Sequence, residues 1–339
     1  MKAYKIHAPK GWDNLKLVES EEPAVTGNQV KINIKAVSLN YRDTAVTLGY
    51  FAYPGEKLPM IPFSDGAGII TEVGPDVRNL KVGDRVSPNF FPDWYGGAFS
   101  AQKVARSLGG STDGVLAEYV VFSEDSVAKI PDSFTYEEAA SVPCAGVTAW
   151  HSLVTKGGIK PGQTVLVQGT GGVSIFGLQI AKLYGAKVIV TSSCNEKLEQ
   201  AKALGADYLI NYKETPEWGA KAKELTNGEG VDFILEVGGP DTLNQSIIAL
   251  KPGGSIYIIG AVGGGAPGQT KDIFISPFDM VNLQAIYVGS TEMMEELFKA
   301  FDANQVKPAI GQTFTFDKVV DALEFMKSGS HFGKIVVTL

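Results

Sequence analysis

The chain has 339 residues, 44% hydrophobic and 20% charged, with a net charge of −7; the length suggests about two domains, and the acidic balance argues against a nucleic-acid or anionic-membrane surface. Two cysteines, Cys144 and Cys194, exclude a disulfide framework and a four-cysteine structural zinc site. No apolar run is long enough to span a membrane and the first residues lack an apolar signal core, so no membrane partner and a cytoplasmic location are expected.

Residues 1–125 read as β-rich. Val30, Ile32, Ile34 and Ala36 alternate with Lys31, Asn33 and Lys35, the pattern of a half-buried strand. Short apolar runs at 69–73, 82–86 and 118–122, separated by Gly and Pro, predict a barrel-like or sandwich arrangement. The aromatic, Gly-rich stretch 88–112 interrupts them. Such a loop serves either as a lid or as a packing lobe. Phe90, Phe91 and Trp94 within it, with Tyr50 and Phe51, are candidates to enclose an apolar substrate. A helix is predicted over 135–157, opened by Glu137-Glu138 and stopped by Gly157-Gly158.

Residues 164–192 then carry the strongest motif. A short apolar strand at 164–167 meets Gly169, Gly171 and Gly172. Val173, Phe176, Ile180 and Leu183 follow at helical spacing, and a second strand is predicted at 187–190. Strand, Gly-rich turn, helix and strand form the first half of a dinucleotide-binding unit, with the pyrophosphate at the helix N-terminus. The third glycine position holds Ser174, which leaves the helix–strand packing there open. Further strands at 208–212, 231–237, 255–259 and 285–288 alternate with helices at 196–204, 217–226 and 241–250. The fold class is therefore α/β, with a doubly wound parallel sheet. Helices at 292–303 and 317–327 and a last strand at 334–339 complete the chain, and that strand can return to the N-terminal β domain.

The order of a β domain, KPGQTVLVQGTGGV, AKALGADYLINY and GSHFGKIVV resembles the medium-chain dehydrogenase/reductase superfamily, which includes zinc alcohol dehydrogenases and zinc-free quinone oxidoreductases. The resemblance spans nearly the whole chain. It implies a GroES-like catalytic domain built from residues 1–125 and 291–339, a Rossmann domain over 126–290, and a homodimer formed through the sheet edge near 255–261.

A catalytic zinc needs three protein ligands and an open fourth position. Zinc-dependent members have Cys at the place of Asn40 and His-Glu at the place of Ser64-Asp65. Only Asp65 and Cys144 remain here, so a zinc-free member is expected. An NAD site usually carries an acid about 20 residues after the glycines. That position is Ser192, followed by Ser193 and, in the next helix, Lys197; the missing acid predicts NADPH.

By the same resemblance Tyr212 closes the 2′-phosphate pocket, Thr148 lies against the nicotinamide, and Ser330-His331-Phe332-Gly333-Lys334 returns to the cofactor, with Phe332 beside it and Lys334 the partner of a phosphate. Gly260, Ala261 and Val262 follow a predicted strand end, where open α/β sheets bind ligands. Hydride addition to a carbonyl or an enone builds negative charge on oxygen, and Asn40, Tyr41 and Tyr50 are the candidate donors and proton sources. The expected substrate is a small apolar quinone or α,β-unsaturated carbonyl. The alternatives are a metal-independent ketone reductase and a non-enzymatic NADPH-binding sensor.

Overall fold

The computed structural model describes residues 1–8, 11–50, 58–260 and 280–339. The chain divides into two compact units: Met1–Val147 with Val288–Leu339, and Thr148–Tyr287. Residues 126–147, which the resemblance grouped with the nucleotide domain, lie in the first unit.

The first unit is built on a seven-stranded sheet. Its order is Ile310–Thr315, Lys334–Thr338, Gln29–Ser38, Asp65–Val73, Arg85–Pro88 and Val127–Lys129, with Tyr119–Ser123 also paired to Gln29–Ser38. The first pair is parallel and the others are antiparallel. The alternation in Gln29–Ser38 has the expected result: Val30, Ile32, Ile34 and Ala36 are buried in the core. Helix Val319–Ser328 adds Val319, Ala322, Leu323 and Met326 to that core, spaced so that one face is apolar.

Three details depart from the sequence reading. The strand expected at 82–86 begins at Arg85, because Gly83 at φ 93° completes a turn. The hairpin of Lys2–Ile6 with Leu15–Glu19 and the strand Ile310–Thr315 were not anticipated. Both Leu15–Glu19 and Ile310–Thr315 are largely exposed, so they carry little apolar signal.

Within Thr148–Tyr287, six parallel strands lie in the order Tyr208–Asn211, Lys187–Ser192, Thr164–Gln168, Val231–Glu236, Leu250–Ile258 and Asn282–Ala285. Numbered along the chain, this is the doubly wound 3-2-1-4-5-6 order. The order reverses between Thr164–Gln168 and Val231–Glu236, the place where such sheets bind ligands. The last strand lies three residues before its expected 285–288: Ile286 and Val288 are buried beyond its end. The helix expected over 135–157 contains two wide π-type turns, Val142–Gly146 and His151–Lys156. Pro143 sits in the first and has no N–H to give to the regular helical ladder. Among the described residues no helix is long and apolar enough to cross a membrane.

Candidate active site

The nucleotide turn follows the strand Thr164–Gln168. Gly169 adopts φ 70°, a left-handed conformation open to glycine at little cost. Gly171 is extended and opens the helix Gly172–Leu183, which no side chain caps. The first N–H groups of an uncapped helix point outward and favour an anion. Gly172 and Val173 are half-buried at this end. Ser174 is buried, and its Oγ donates to Gln168 O at 2.5 Å, tying helix to strand where the third glycine usually stands. The close-packing glycine is instead Gly177. A Cβ there would collide with Leu235 Cδ1 and stand 3.2 Å from Val167 Cγ1.

At the reversal point Glu236 ends an apolar strand and is fully buried. Its Oε1 accepts from Gly238 N and Gly239 N, both at 2.9 Å, and from Thr242 Oγ1 at 2.5 Å. Its Oε2 accepts from Gln168 Nε2 at 2.6 Å and Ser246 Oγ at 2.5 Å. The carboxylate shapes the loop beside the glycine turn. The signal was an acid directly after the apolar residues Phe233, Ile234 and Leu235.

The parallel pairing of Asn211 with Ser192 brings the proposed 2′-phosphate residues to neighbouring strand ends. Tyr212 N donates to Ser192 O at 3.0 Å, and the Tyr212 ring is partly exposed. Ser192 is buried and its Oγ accepts from Cys194 N at 3.3 Å, while Ser193 and Lys197 are half-buried. Burial lowers the pKa of Lys197. Gly260 N lies 3.4 Å from Glu236 O, at the end of the next strand. Thr148 is buried, and its carbonyl accepts from Ser152 Oγ at 2.8 Å. Ala261, Val262 and Phe51 lie outside the described residues.

In the first unit, three neighbouring strand ends bring a polar cluster together. Ser38 pairs with Asp65 on one side and Val336 on the other. Continuing the second register by two residues places Lys334 opposite Asn40. Lys334 is 3% exposed; its Nζ donates to Asn40 Oδ1 at 2.6 Å and Leu39 O at 2.7 Å, and lies 3.7 Å from Asp65 Oδ2. Asp65 Oδ1 accepts from Ser64 Oγ at 2.6 Å, and Asp65 Oδ2 accepts from Cys144 N at 3.1 Å, in the wide turn. Asn40 Nδ2 donates to Ser64 Oγ at 3.4 Å. Burial, reinforced by Asp65, pushes the Cys144 thiol up, so it is not a thiolate.

Asn40 also precedes the helix Tyr41–Thr47. Its N–H donates to Asp43 Oδ2 at 2.7 Å and its side chain faces the Asp43 N–H in return, a capping box that fixes the backbone beside the cluster. Asp43 is buried, and its Oδ1 has no hydrogen-bond partner among the described residues. Burial raises its pKa to about 6 against the opposing pull of Arg42.

Two sequence expectations change here. Lys334 was expected to meet a cofactor phosphate; its ammonium is instead turned into this cluster, because the returning strand sets it beside Asn40. Phe90, Phe91 and Trp94 were expected to line a substrate pocket, but their exposures are 1%, 0% and 1%, so none faces solvent. Phe90 and Phe91 meet edge to face at 4.6 Å, and Arg42 stacks on Phe90 at 4.5 Å. Asn89 Nδ2 donates to Phe91 O at 3.0 Å and Gly289 O at 3.3 Å, anchoring the loop as a packing lobe. Phe332 is half-buried. Tyr41 and Tyr50 are 46% and 69% exposed.

The zinc-binding dehydrogenase family matches residues 172–303, and the alcohol dehydrogenase GroES-like domain matches residues 26–132. A zinc-type alcohol dehydrogenase-like protein of Schizosaccharomyces pombe is 42% identical, covering 99% of each chain. The 2-methylene-furan-3-one reductase of Solanum lycopersicum is 33% identical over 99% of this chain and 79% of that protein. The crystal structure of an NAD-dependent alcohol dehydrogenase is similar at a TM-score of 0.89 and 31% identity, covering 100% of both chains. The chain belongs to the medium-chain dehydrogenase/reductase superfamily.

The family's catalytic zinc does not fit the residues present. Asp65 and Cys144 are two of the required donors, and Asn40 and Ser64 stand where further ligands are needed. The Lys334 ammonium already lies against Asp65, so a dication there would meet a buried positive charge. Among the described residues, no group of three or more His, Cys, Asp and Glu could hold a metal ion.

Proposed function

We propose that this chain is a zinc-independent, NADPH-dependent reductase of small quinones or α,β-unsaturated carbonyls. The observation that carries the reading is the Asn40–Lys334–Asp65 cluster, a hydrogen-bonding site with its own cation where zinc-dependent relatives hold a metal. Ser192, Ser193 and Lys197 support NADPH, because the strand-end position that carries an acid in NAD sites holds Ser192.

A reduced nicotinamide cofactor, when bound, supplies the hydride. The uncapped turn at Gly169–Gly172 suits its pyrophosphate. Asn40 Nδ2 donates to the substrate oxygen as negative charge gathers there. The exposed phenols of Tyr41 and Tyr50 can return a proton to the resulting enolate, directly or through water. The name of the Solanum relative, an enone reductase, supports this substrate class.

The second reading, a metal-independent ketone or aldehyde reductase, is favoured by the likeness to alcohol dehydrogenases. Product analysis after incubation with NADPH and either an enone or a simple ketone separates the two. Saturation of the C=C bond is expected; turnover of the ketone alone would favour the second reading. Near-stoichiometric zinc in the purified protein would defeat the metal-free mechanism. Homodimer assembly belongs to the same proposal, and a monomer by light scattering at micromolar concentration would remove it.

A further inference from the structure

Lys334 presents an unusual arrangement for a lysine. It is 3% exposed, and its Nζ is held by two oxygens and one carboxylate within the same unit. An ammonium can only donate hydrogen bonds. Asn40 must therefore turn Oδ1 toward Lys334, which leaves Nδ2 as the only other polar atom of the amide. One Nδ2 hydrogen lies toward Ser64 Oγ at a long 3.4 Å, and that hydroxyl is itself directed to Asp65 Oδ1 at 2.6 Å. The second Nδ2 hydrogen meets no acceptor among the described residues. Ser64 Oγ, whose one hydrogen goes to Asp65, can only accept from Nδ2, and does so at long range; the 2.6 Å bond from the ammonium to Oδ1 is the shorter hold on the amide's orientation.

We propose that Lys334 is a positioning residue whose buried ammonium fixes the Asn40 amide with Nδ2 presented to the substrate oxygen. The inference rests on the reductase reading above. Lys334 does not touch substrate in this assignment; it acts through Asn40. Asp65 in turn holds the ammonium in place and balances its charge inside the unit. This differs from the role expected of a lysine at this point of the sequence, which is to bind a cofactor phosphate.

The two roles separate in one experiment on the full chain. Lys334→Met is compared with wild type for NADPH affinity, by titration of NADPH fluorescence, and for kcat with an enone at saturating NADPH. The expected result is a fall in kcat of about 100-fold, the scale of a misplaced catalytic group. NADPH Kd is expected to stay within about threefold, since a tenfold change would mean a lost direct contact. Lys334→Arg, which keeps a charged donor, should recover part of kcat.

A tenfold or larger rise in NADPH Kd with kcat retained would assign Lys334 to the cofactor and overturn the proposal, as would an unchanged kcat. If Lys334→Met does not fold because Asp65 is left unpaired, Lys334→Met with Asp65→Asn removes both charges together, and the same readings apply. A wild type that turns over no enone, quinone or ketone defeats the reductase reading separately. The Asn40 side-chain amide then still decides the matter. Its nitrogen-15 signal should move in Lys334→Met, and a signal that stays in place would overturn the proposal.

Discussion

Gly177 lies against Leu235 so closely that a single added methyl would overlap the Leu235 Cδ1 atom. Both residues belong to the nucleotide unit, one on the helix after the glycine turn and one on the fourth strand of the sheet. Helix-to-sheet contact is therefore set one turn further along than the usual third glycine. Gly177→Ala should destabilise the protein by about 1–3 kcal/mol through overpacking, less the roughly 1 kcal/mol that alanine returns in helix propensity. Urea unfolding measures the difference. Ser174→Gly restores the family's glycine but loses the bond to Gln168, and should also destabilise, by about 1–2 kcal/mol.

The raised pKa of Asp43 makes stability depend on pH. Its folded value, about 6, lies above the unfolded carboxyl value near 4, so the folded state holds the proton more tightly. The contribution is fully present below about pH 4 and is lost as pH rises through about 6. Its size is on the order of 2–3 kcal/mol, since each tenfold gain in proton affinity is worth about 1.4 kcal/mol. Urea unfolding at pH 4 and pH 7 should show that the wild type loses this much more than Asp43→Asn. Equal pH dependence in the two proteins would contradict the assignment.

Asn40→Ala should lower kcat by about 100- to 1,000-fold with NADPH affinity preserved, the usual cost of removing a donor to a developing oxyanion. Asn40→Asp keeps an acceptor for Lys334 but has no N–H, so it should lose as much. Recovery of activity in Asn40→Asp would mean that the amide is not the donor. Steady-state kinetics at saturating NADPH provides the check.

Ser192→Asp should reverse the cofactor preference. A carboxylate at this strand end repels a 2′-phosphate and accepts from a free 2′-hydroxyl. The ratio of kcat/KM for NADH over NADPH should rise by roughly two orders of magnitude, about 2.7 kcal/mol. A ratio that does not change would place the 2′-phosphate elsewhere.

The sequence was most legible where a pattern depends on one segment alone. The alternation from Val30 to Ala36 is such a case, and so are the glycines after Thr164–Gln168. The contact of Lys334 with Asn40 was hidden because it comes from an antiparallel partner nearly three hundred residues away, and no local spacing reports that pairing. The burial of Phe90, Phe91 and Trp94 was hidden for a different reason. An aromatic-rich loop has the same composition whether the rings face a ligand or one another; the anchoring amide of Asn89 made the difference. The strand Asn282–Ala285 was displaced because its buried apolar residues follow the segment that pairs.

The hydrogen bond from Lys334 to Asn40 joins side chains 294 positions apart. During synthesis, Asn40 leaves the ribosome long before its partner exists, and the residues of the parallel sheet are made in between. Because domains generally fold as units while the chain is still being made, the dinucleotide unit can take shape while the other still lacks a strand. The Lys334–Asn40 link is thus among the last contacts available to the nascent chain. A ribosome stalled before Lys334 would carry a chain with a complete cofactor sheet and an unfinished site for chemistry.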